Sequence, residues 1–335
     1  MIAQENVEAG QDGGHAADGS AAGDTMRAMA RGLRYERLAT ERANRASARL
    51  DRLDARRIAA LMNREDARAV RAVGRVAREI AAAVDLIVAA LGARGRLIFV
   101  GAGTSGRLGV LEAAECPPTF GTPPSRVQGI MAGGRASVFR SREGAEDDAE
   151  AGARAVRARA RAGDVVVGVS ASGVTPFVRG GLAAARRAGA RTVIVTCSRA
   201  RGVSANVVIA PAPGPEVLAG STRLKAGTAT KLVLNTLTTA SMARLGKVYG
   251  NRMVDVQPRS RKLRARAARL VAEIGGVSPA RAHKLLAAAR SRVPVAIVMA
   301  RRHLSADAAA RALRVAGSLR PVIERDGGQG RFTRR

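Results

Sequence analysis

The sequence predicts an α/β fold: a parallel sheet sandwiched by helices, with N-terminal helices before it and a small, mainly helical C-terminal domain after it. Three observations predict this. Two short apolar runs, Arg96-Leu97-Ile98-Phe99-Val100 and Val165-Val166-Val167-Gly168-Val169, lead directly into loops of glycine and hydroxyl residues, the pattern of buried parallel strands that end in turns. Further apolar runs at 126–131, 192–196 and 207–210 alternate with helical periodicity near 105–114, 144–162, 175–188 and 227–245. Alternation at this spacing calls for crossover helices on both faces of a parallel sheet. From about Ser260 the strand runs give way to an alanine-rich helical pattern.

Residues 1–25 hold five acidic and no basic side chains among repeated Gly and Ala. So little apolar surface cannot offset chain entropy, so 1–32 is expected to be a disordered extension, with Met26 or Met29 as an alternative start. Helices are expected over 33–62 and 66–93; Ile80, Val84, Ile87, Val88 and Leu91 recur at helical spacing in the second. Together with the sheet they make a domain over 33–258. Residues 259–326 form the C-terminal unit, its helical pattern interrupted by the apolar run Val293-Pro294-Val295-Ala296-Ile297-Val298-Met299, and 327–335 are a flexible tail. No internal repeat is visible.

With 335 residues and 47% apolar content, the chain can bury one large core and a smaller satellite. The net charge of +30 raises the question of nucleic acid. Against it, only five of the cations are Lys, the Arg are spread along helical stretches such as 154–161, and seven aromatics without Trp provide no base-stacking platform. Arg-decorated, solvated helix faces explain the charge, and nucleic acid is not expected as a partner. Cys116 and Cys197 stand far apart beside predicted strands, which suggests neither a disulfide framework nor a thiolate metal site and fits a reducing cytoplasm. No apolar stretch approaches membrane-spanning length, and the N-terminus lacks the basic-then-apolar order of a secretory signal, so no membrane association is expected.

The chemistry is concentrated in two loops, Gly101-Ala102-Gly103-Thr104-Ser105-Gly106-Arg107 and Ser170-Ala171-Ser172-Gly173-Val174-Thr175-Pro176. Both fall at carboxyl ends of strands, where helix N-termini and free backbone N–H groups converge on ligands. Hydroxyls and glycine-exposed amides suit a phosphate. None of His15, His283 and His303 lies in the sheet region, so acid–base chemistry falls to carboxylates. A helix starting at Ser105 carries Glu115 at its far end, ahead of a Pro117-Pro118 turn. The negative end of the helix dipole there favours the protonated carboxyl that a general acid needs, although an exposed last-turn glutamate fits the same pattern. Glu143, Glu146, Asp147 and Asp148 crowd a second segment, which by itself reads as the acidic first turn of a helix. A third segment, Gly214 to Thr228, combines Glu216, Ser221, Arg223 and Lys225 with glycines ahead of a long helix. Arg223 there is able to grip a phosphate or carboxylate at two points.

These residues carry a resemblance. The two loops resemble those of sugar isomerase (SIS) phosphosugar-binding domains. The Gly101-to-Gly121 stretch, Glu143-Gly144-Ala145-Glu146-Asp147, the Gly220-to-Thr228 loop and Leu245-to-Val256 together resemble the N-acetylmuramic acid 6-phosphate etherases, over about Leu38 to Glu324; Thr40-Glu41 and Asn44 fit that family's N-terminal segment. The resemblance implies an SIS-type sheet and cleavage of the C3 lactyl ether of a phosphorylated amino sugar, giving N-acetylglucosamine 6-phosphate and D-lactate, in cell-wall amino sugar recycling without metal or other cofactor. It places the proton donor on Glu115 and the second catalytic glutamate on Glu146. Gly103, Thr104, Ser105, Ser170, Ser172 and Thr175 are expected to receive the phosphate, alongside Glu216, Ser221, Arg223 and Lys225. SIS domains generally dimerise and complete their sites across the interface, so a homodimer is expected, with a phosphosugar as its small-molecule partner.

Val174 stands where that family usually has an Arg, Ser198-Arg199 where it has Asn-Pro, and Thr230 where it has Gln. These departures touch affinity and substrate choice more than reaction type, since both glutamates are present. Two other readings remain open: a non-catalytic phosphosugar sensor similar to the glucokinase regulatory protein, and a sugar-phosphate isomerase, which needs a base but no acid for a leaving group.

Overall fold

The computed structural model describes residues 40–198, 202–258 and 260–324; the expected disordered extension over 1–32, the tail over 327–335 and Arg199 lie outside them. Two 3₁₀ turns, Arg45–Ser47 and Leu50–Arg52, precede helices α1 (Ala55–Gly74) and α2 (Ala77–Gly92). The central region then alternates β1 (Leu97–Gly101), α3 (Gly103–Phe120), β2 (Val127–Met131), α4 (Ala136–Phe139), α5 (Ala149–Arg157), β3 (Val165–Val169), α6 (Pro176–Arg187), β4 (Arg191–Val195), β5 (Val207–Ile209) and α7 (Lys225–Arg244).

All five strands pair in parallel, in the order β2-β1-β3-β4-β5. The two-residue period of a strand sorts its side chains between two cores. Leu97, Phe99, Val165, Val167, Val193 and Val195 face one cluster with α2 and α7 residues such as Ile87, Val233 and Leu237. Ile98, Val100, Val166 and Ile194 face another with Val156 of α5 and Phe177, Val178 and Leu182 of α6. Every residue of β1 and β3 is buried, as a strand covered on both faces requires.

A hairpin of β6 (Val248–Tyr249) and β7 (Arg252–Met253) leads to α8 (Arg261–Gly275), α9 (Pro279–Ala288), α10 (Val293–Arg302), α11 (Ala306–Ala316) and α12 (Leu319–Glu324). Ser260, Ser278 and Ser305 start α8, α9 and α11 by accepting from the N–H groups of Leu263, Arg281 and Ala308. These helices enclose a core of their own, including Leu270, Leu285, Ile297 and Ile323.

Four helix assignments need correction. The first helix, expected over 33–62, starts only at Ala55, after the two 3₁₀ turns, and the break expected at 62–66 is absent: α1 runs on to Gly74 because Leu61, Glu65, Ala69 and Ala72 form one buried stripe. The helix expected from 144 begins at Ala149, where Asp148 caps it by accepting from Ala151 N–H at 2.7 Å. Pro117 and Pro118 do not end α3, which continues one turn to a C-cap at Gly121 (φ 66°). The Val293–Met299 run does not interrupt the helical pattern; it is α10, buried on most sides.

Candidate active site

The strand order places a topological switch point between β1 and β3: from β1 the chain moves outward to β2, and from β3 it moves the opposite way to β4. Gly101 and Val169 are register partners, so the two hydroxyl-rich loops leave the sheet side by side at its carboxyl edge, the crevice where open α/β sheets bind ligands.

The first loop turns abruptly into α3. A Cβ on Gly106 would lie 2.6 Å from the Gly101 carbonyl oxygen, so only glycine lets the first turn of α3 approach the end of β1 this closely. Ala102 at the N-cap of α3 and Thr175 ahead of α6 make no side-chain cap, which leaves the first N–H groups of α3 available to a ligand; α6 opens with Pro176, which has no N–H, and its Phe177 N–H donates to the Glu146 carbonyl. In the second loop, Ser170 Oγ lies 2.7 Å from Thr175 Oγ1 and 3.5 Å from Ser172 Oγ, and accepts from Gly173 N–H at 3.1 Å. Thr104 reaches the third element, since a Cβ on Gly227 in the first turn of α7 would lie 3.9 Å from its methyl carbon. Gly103, Thr104, Ser105, Ser170, Ser172 and Thr175 therefore line the mouths of adjacent loops.

The third segment divides in two. Ser221 is half-buried and Arg223 exposed. Glu216 and Lys225 are each 1% exposed and form a network beneath the loop. The Glu216 carboxylate accepts from the N–H groups of Lys225 and Ala226 at 2.8 and 2.9 Å, capping α7. Lys225 Nζ donates to Glu65 at 2.6 Å, and Asn44 Nδ2 donates both to Glu65 at 2.8 Å and to the Pro215 carbonyl at 3.2 Å. Burial pushes the Glu216 carboxyl above its ordinary value against the two N–H donors and the Lys225 charge. For Glu65 burial acts in the same sense, but the Lys225 and Asn44 hydrogen bonds and the Lys225 and Arg68 charges outweigh it and hold the carboxyl below its ordinary value.

Glu146 sits half-buried in the turn before α5. Its carbonyl accepts from Phe177 N–H at 2.9 Å, which ties it to the first turn of α6 and so to the Ser170–Thr175 loop. Close helix packing maintains this: a Cβ on Gly180 would stand 1.9 Å from the Ala149 carbonyl oxygen, and one on Gly152 equally close to that of Phe177. Arg107 braces the chain upstream of the turn, donating to the carbonyls of Val138 and Ser137 at 2.8 and 2.9 Å.

Glu115 is placed differently. It is exposed, twelve residues into α3 from Gly103, and at 1.5 Å per residue that is about 18 Å along the helix from the loop. One chain thus gathers the hydroxyls and Glu146 at one end of α3 and leaves Glu115 at the other.

Sequence reasoning missed Glu65, Arg107 and Glu112. Glu112, 4% exposed, lies at the α3–α7 contact and accepts from Lys231 Nζ at 2.5 Å and Thr238 Oγ1 at 2.7 Å. The signal was available: Glu65 and Glu112 are the acids within buried stripes, Leu61-Glu65-Ala69 and Gly109-Glu112-Cys116. Among the described residues, no group of three or more His, Cys, Asp or Glu is placed to hold a metal ion, and no helix is long and apolar enough to cross a membrane.

Residues 79–186, which span both loops, match the family model of the glucokinase regulatory protein N-terminal SIS domain. The chain is 54% identical over 288 residues to the N-acetylmuramic acid 6-phosphate etherase of Gloeobacter violaceus, covering 85% of this chain and 94% of that one. It is 51% identical over 290 residues to the same-named protein of Mycolicibacterium smegmatis, covering 85% and 97%. A phosphoheptose isomerase from Neisseria gonorrhoeae superposes with a TM-score of 0.43 at 18% identity, covering 56% of this chain and 98% of that one. With such identity over nearly the whole length of its relatives, the chain belongs to the N-acetylmuramic acid 6-phosphate etherase family.

Proposed function

We infer that this chain is an etherase that releases D-lactate from N-acetylmuramic acid 6-phosphate and leaves N-acetylglucosamine 6-phosphate, in cell-wall amino sugar recycling. The observation that carries the site reading is the meeting, at the β1/β3 switch point, of the α3 start, which has no side-chain cap, and a hydrogen-bonded hydroxyl trio ahead of α6. That arrangement suits a phosphate monoester. Ser170, Ser172, Thr175, Thr104 and Ser105 receive the phosphate, with the α3 start at Gly103. Ser221 and Arg223, on the loop before α7, serve the sugar, while Glu216 and Lys225 hold the start of α7 in place.

Opening the sugar ring makes C1 an aldehyde and acidifies the C2 proton. Glu146 removes that proton, and Glu115, protonated, donates to the lactyl oxygen as the C3–O bond breaks, leaving a C2–C3 double bond conjugated with the aldehyde. Water then adds at C3 and a proton returns to C2, which balances the reaction. Because Glu115 lies at the far end of α3, the site draws this residue from a second copy of the chain, so the working form is a homodimer. The two unpaired thiols, Cys116 and Cys197, suit a cytoplasmic setting.

The test is D-lactate release by wild type, Glu115→Gln and Glu146→Gln. Both variants are expected to lose release by about 10²-fold or more while retaining phosphosugar binding. Undiminished release by either variant removes that residue from the mechanism. A wild-type protein that binds N-acetylglucosamine 6-phosphate yet releases no lactate is a sensor.

A further inference from the structure

The stretch Leu245-to-Val256 carries part of the family resemblance, yet no step of the chemistry uses it. Its two ends, Leu245–Lys247 and Val254–Val256, form one wall of a cavity of about 570 Å³. The other walls are Gly121 at the C-cap of α3, the Arg290-Ser291-Arg292 turn between α9 and α10, and the α11–α12 junction at Gly317–Leu319. Cavities of this size hold small molecules. Since α3 spans 18 residues, about 27 Å, the cavity stands at the opposite end of that helix from the hydroxyl loops of the same chain.

Tight backbone contacts hold these walls. A Cβ on Gly121 would lie 2.5 Å from the Asp255 carbonyl oxygen, and one on Gly246 2.2 Å from Ser318 Cβ, so the sheet domain and the C-terminal helices meet without slack. Arg290 and Ser291 are successive non-glycine residues in the left-handed region, with φ of 51° and 61°, a costly conformation that clusters at ligand clamps.

The charge of the cavity points to its ligand. Lys247 Nζ lies 2.5 Å from Asp255 Oδ2, so these two lining residues neutralise each other. Arg290 and Arg292 are left over: Arg292 Nε donates to the Ala289 carbonyl at 3.4 Å, and no carboxylate among the described residues pairs with either guanidinium. Two positive charges match a phosphate monoester, which guanidinium forks grip at two points. Buried Val256 and Val293 beside the polar Gln257 and Ser291 give walls suited to the apolar face and the hydroxyls of a sugar ring.

We propose that this cavity is a second phosphosugar site, separate from the substrate crevice, in which Arg290 and Arg292 bind the phosphate. The inference goes beyond the etherase reading and does not need it.

Calorimetric titration of the full chain with N-acetylglucosamine 6-phosphate tests this in wild type, Ser170→Ala/Ser172→Ala, Arg290→Gln/Arg292→Gln and the charge-conserving Arg290→Lys/Arg292→Lys. Both arginines are exposed, so their replacement leaves the core intact. Wild type is expected to bind two molecules per chain. The glutamine variant should keep one and weaken the other about tenfold or more, the size of a lost charge-assisted hydrogen bond. The lysine variant should lose less, and the serine variant should weaken the site that the glutamine variant keeps. Neither unphosphorylated N-acetylglucosamine nor D-lactate should displace the phosphosugar from the cavity. One molecule per wild-type chain overturns the proposal, and so does a glutamine variant that binds two with affinities within twofold of wild type. Displacement by D-lactate at comparable concentration overturns the phosphate assignment. Lactate release is read on the same samples: its absence in wild type sinks the etherase reading, while the count of phosphosugar sites still decides this one.

Discussion

Lys225→Met tests how the third loop is held. Lys225 Nζ lies 2.6 Å from Glu65 Oε2, with side chains 1% and 3% exposed. Methionine keeps most of the volume and removes the charge, so the variant leaves a buried carboxylate without its ammonium partner. Removing one member of a buried pair costs about 3–5 kcal/mol. Asn44 Nδ2 at 2.8 Å and Arg68 Nη1 at 3.1 Å still serve the Glu65 carboxylate, so the lower end, about 3 kcal/mol, is expected. At about 2–4 °C per kcal/mol, Tm should fall by about 6–12 °C. The pH dependence has a definite sign. The folded Glu65 carboxyl is held below its ordinary value of 4.5, so the stability it contributes is present above that pH and is lost as pH falls through the folded value. Lys225→Met should therefore show its full deficit near neutrality and a shrinking one below about pH 4.5, where a protonated Glu65 no longer needs the amine. Urea unfolding of wild type, Lys225→Met, Glu65→Gln and the double variant measures the coupling, expected at about 1–3 kcal/mol. A deficit under about 1 kcal/mol at pH 7, or strict additivity in the double variant, refutes the reasoning.

Gly180→Ala places a methyl carbon 1.9 Å from the Ala149 carbonyl oxygen; since backbone cannot yield, α5 and α6 must separate, at about 1–3 kcal/mol or more by denaturant unfolding, and lactate release should drop as the Glu146 turn shifts. Ser170→Ala removes the hydroxyl bonded to Thr175 Oγ1 and Gly173 N–H; a stability loss of about 1 kcal/mol and a raised KM are expected, and an unchanged KM removes Ser170 from the phosphate site. Burial, with the Glu112 and Glu115 charges, pushes the Cys116 thiol up to about 12. Burial likewise takes Cys197 to about 12, the Thr230 hydrogen bond opposing it. Neither thiol should react with iodoacetamide at pH 8 in the native state and both should react in urea, as mass spectrometry would read.

The sheet was legible because its strands are short, apolar and bounded by loops rich in Gly, Ser or Pro, and each predicted strand lies within a residue or two of the observed one. The helices were harder wherever a polar residue is buried. Asn63-Arg64-Glu65-Asp66 interrupts the apolar periodicity of α1, yet Glu65 occupies a core position between Leu61 and Ala69 because a lysine 160 residues away completes it. Local pattern contains no information about that partner. The same applies at Pro117-Pro118, where the missing N–H groups suggest a stop, but the helix still closes through the Gly121 N–H to the Pro117 carbonyl at 3.0 Å. The α10 run is apolar nearly all round because it threads the middle of the C-terminal core, which removes the period by which a helix is recognised. In the site, the loops announce themselves by composition, whereas Arg107 and Glu112 act through long-range or carbonyl contacts that composition does not encode.

The placement of the two glutamates makes a prediction about chain number that a single variant cannot test. Glu146 is tied through Phe177 N–H to the start of α6, and Glu115 lies about 18 Å along α3 from the adjoining loop. No side-chain rotation spans that length, so Glu115 does not reach the first loop of its own chain. In a symmetric pair, each site would combine Glu146 of one copy with Glu115 of the other. Glu115→Gln and Glu146→Gln chains, each inactive alone, should then complement when unfolded together and refolded. Half of the pairs are mixed, and each mixed pair holds one site with both glutamates intact and one with neither, so about a quarter of wild-type lactate release should return. If both acids came from the same chain, every site in every pairing would lack one of them and nothing would return. Silence in that mixture, with mixed pairs verified by mass spectrometry, would mean either that the far end of α3 is not where Glu115 acts or that Glu115 does not act at all.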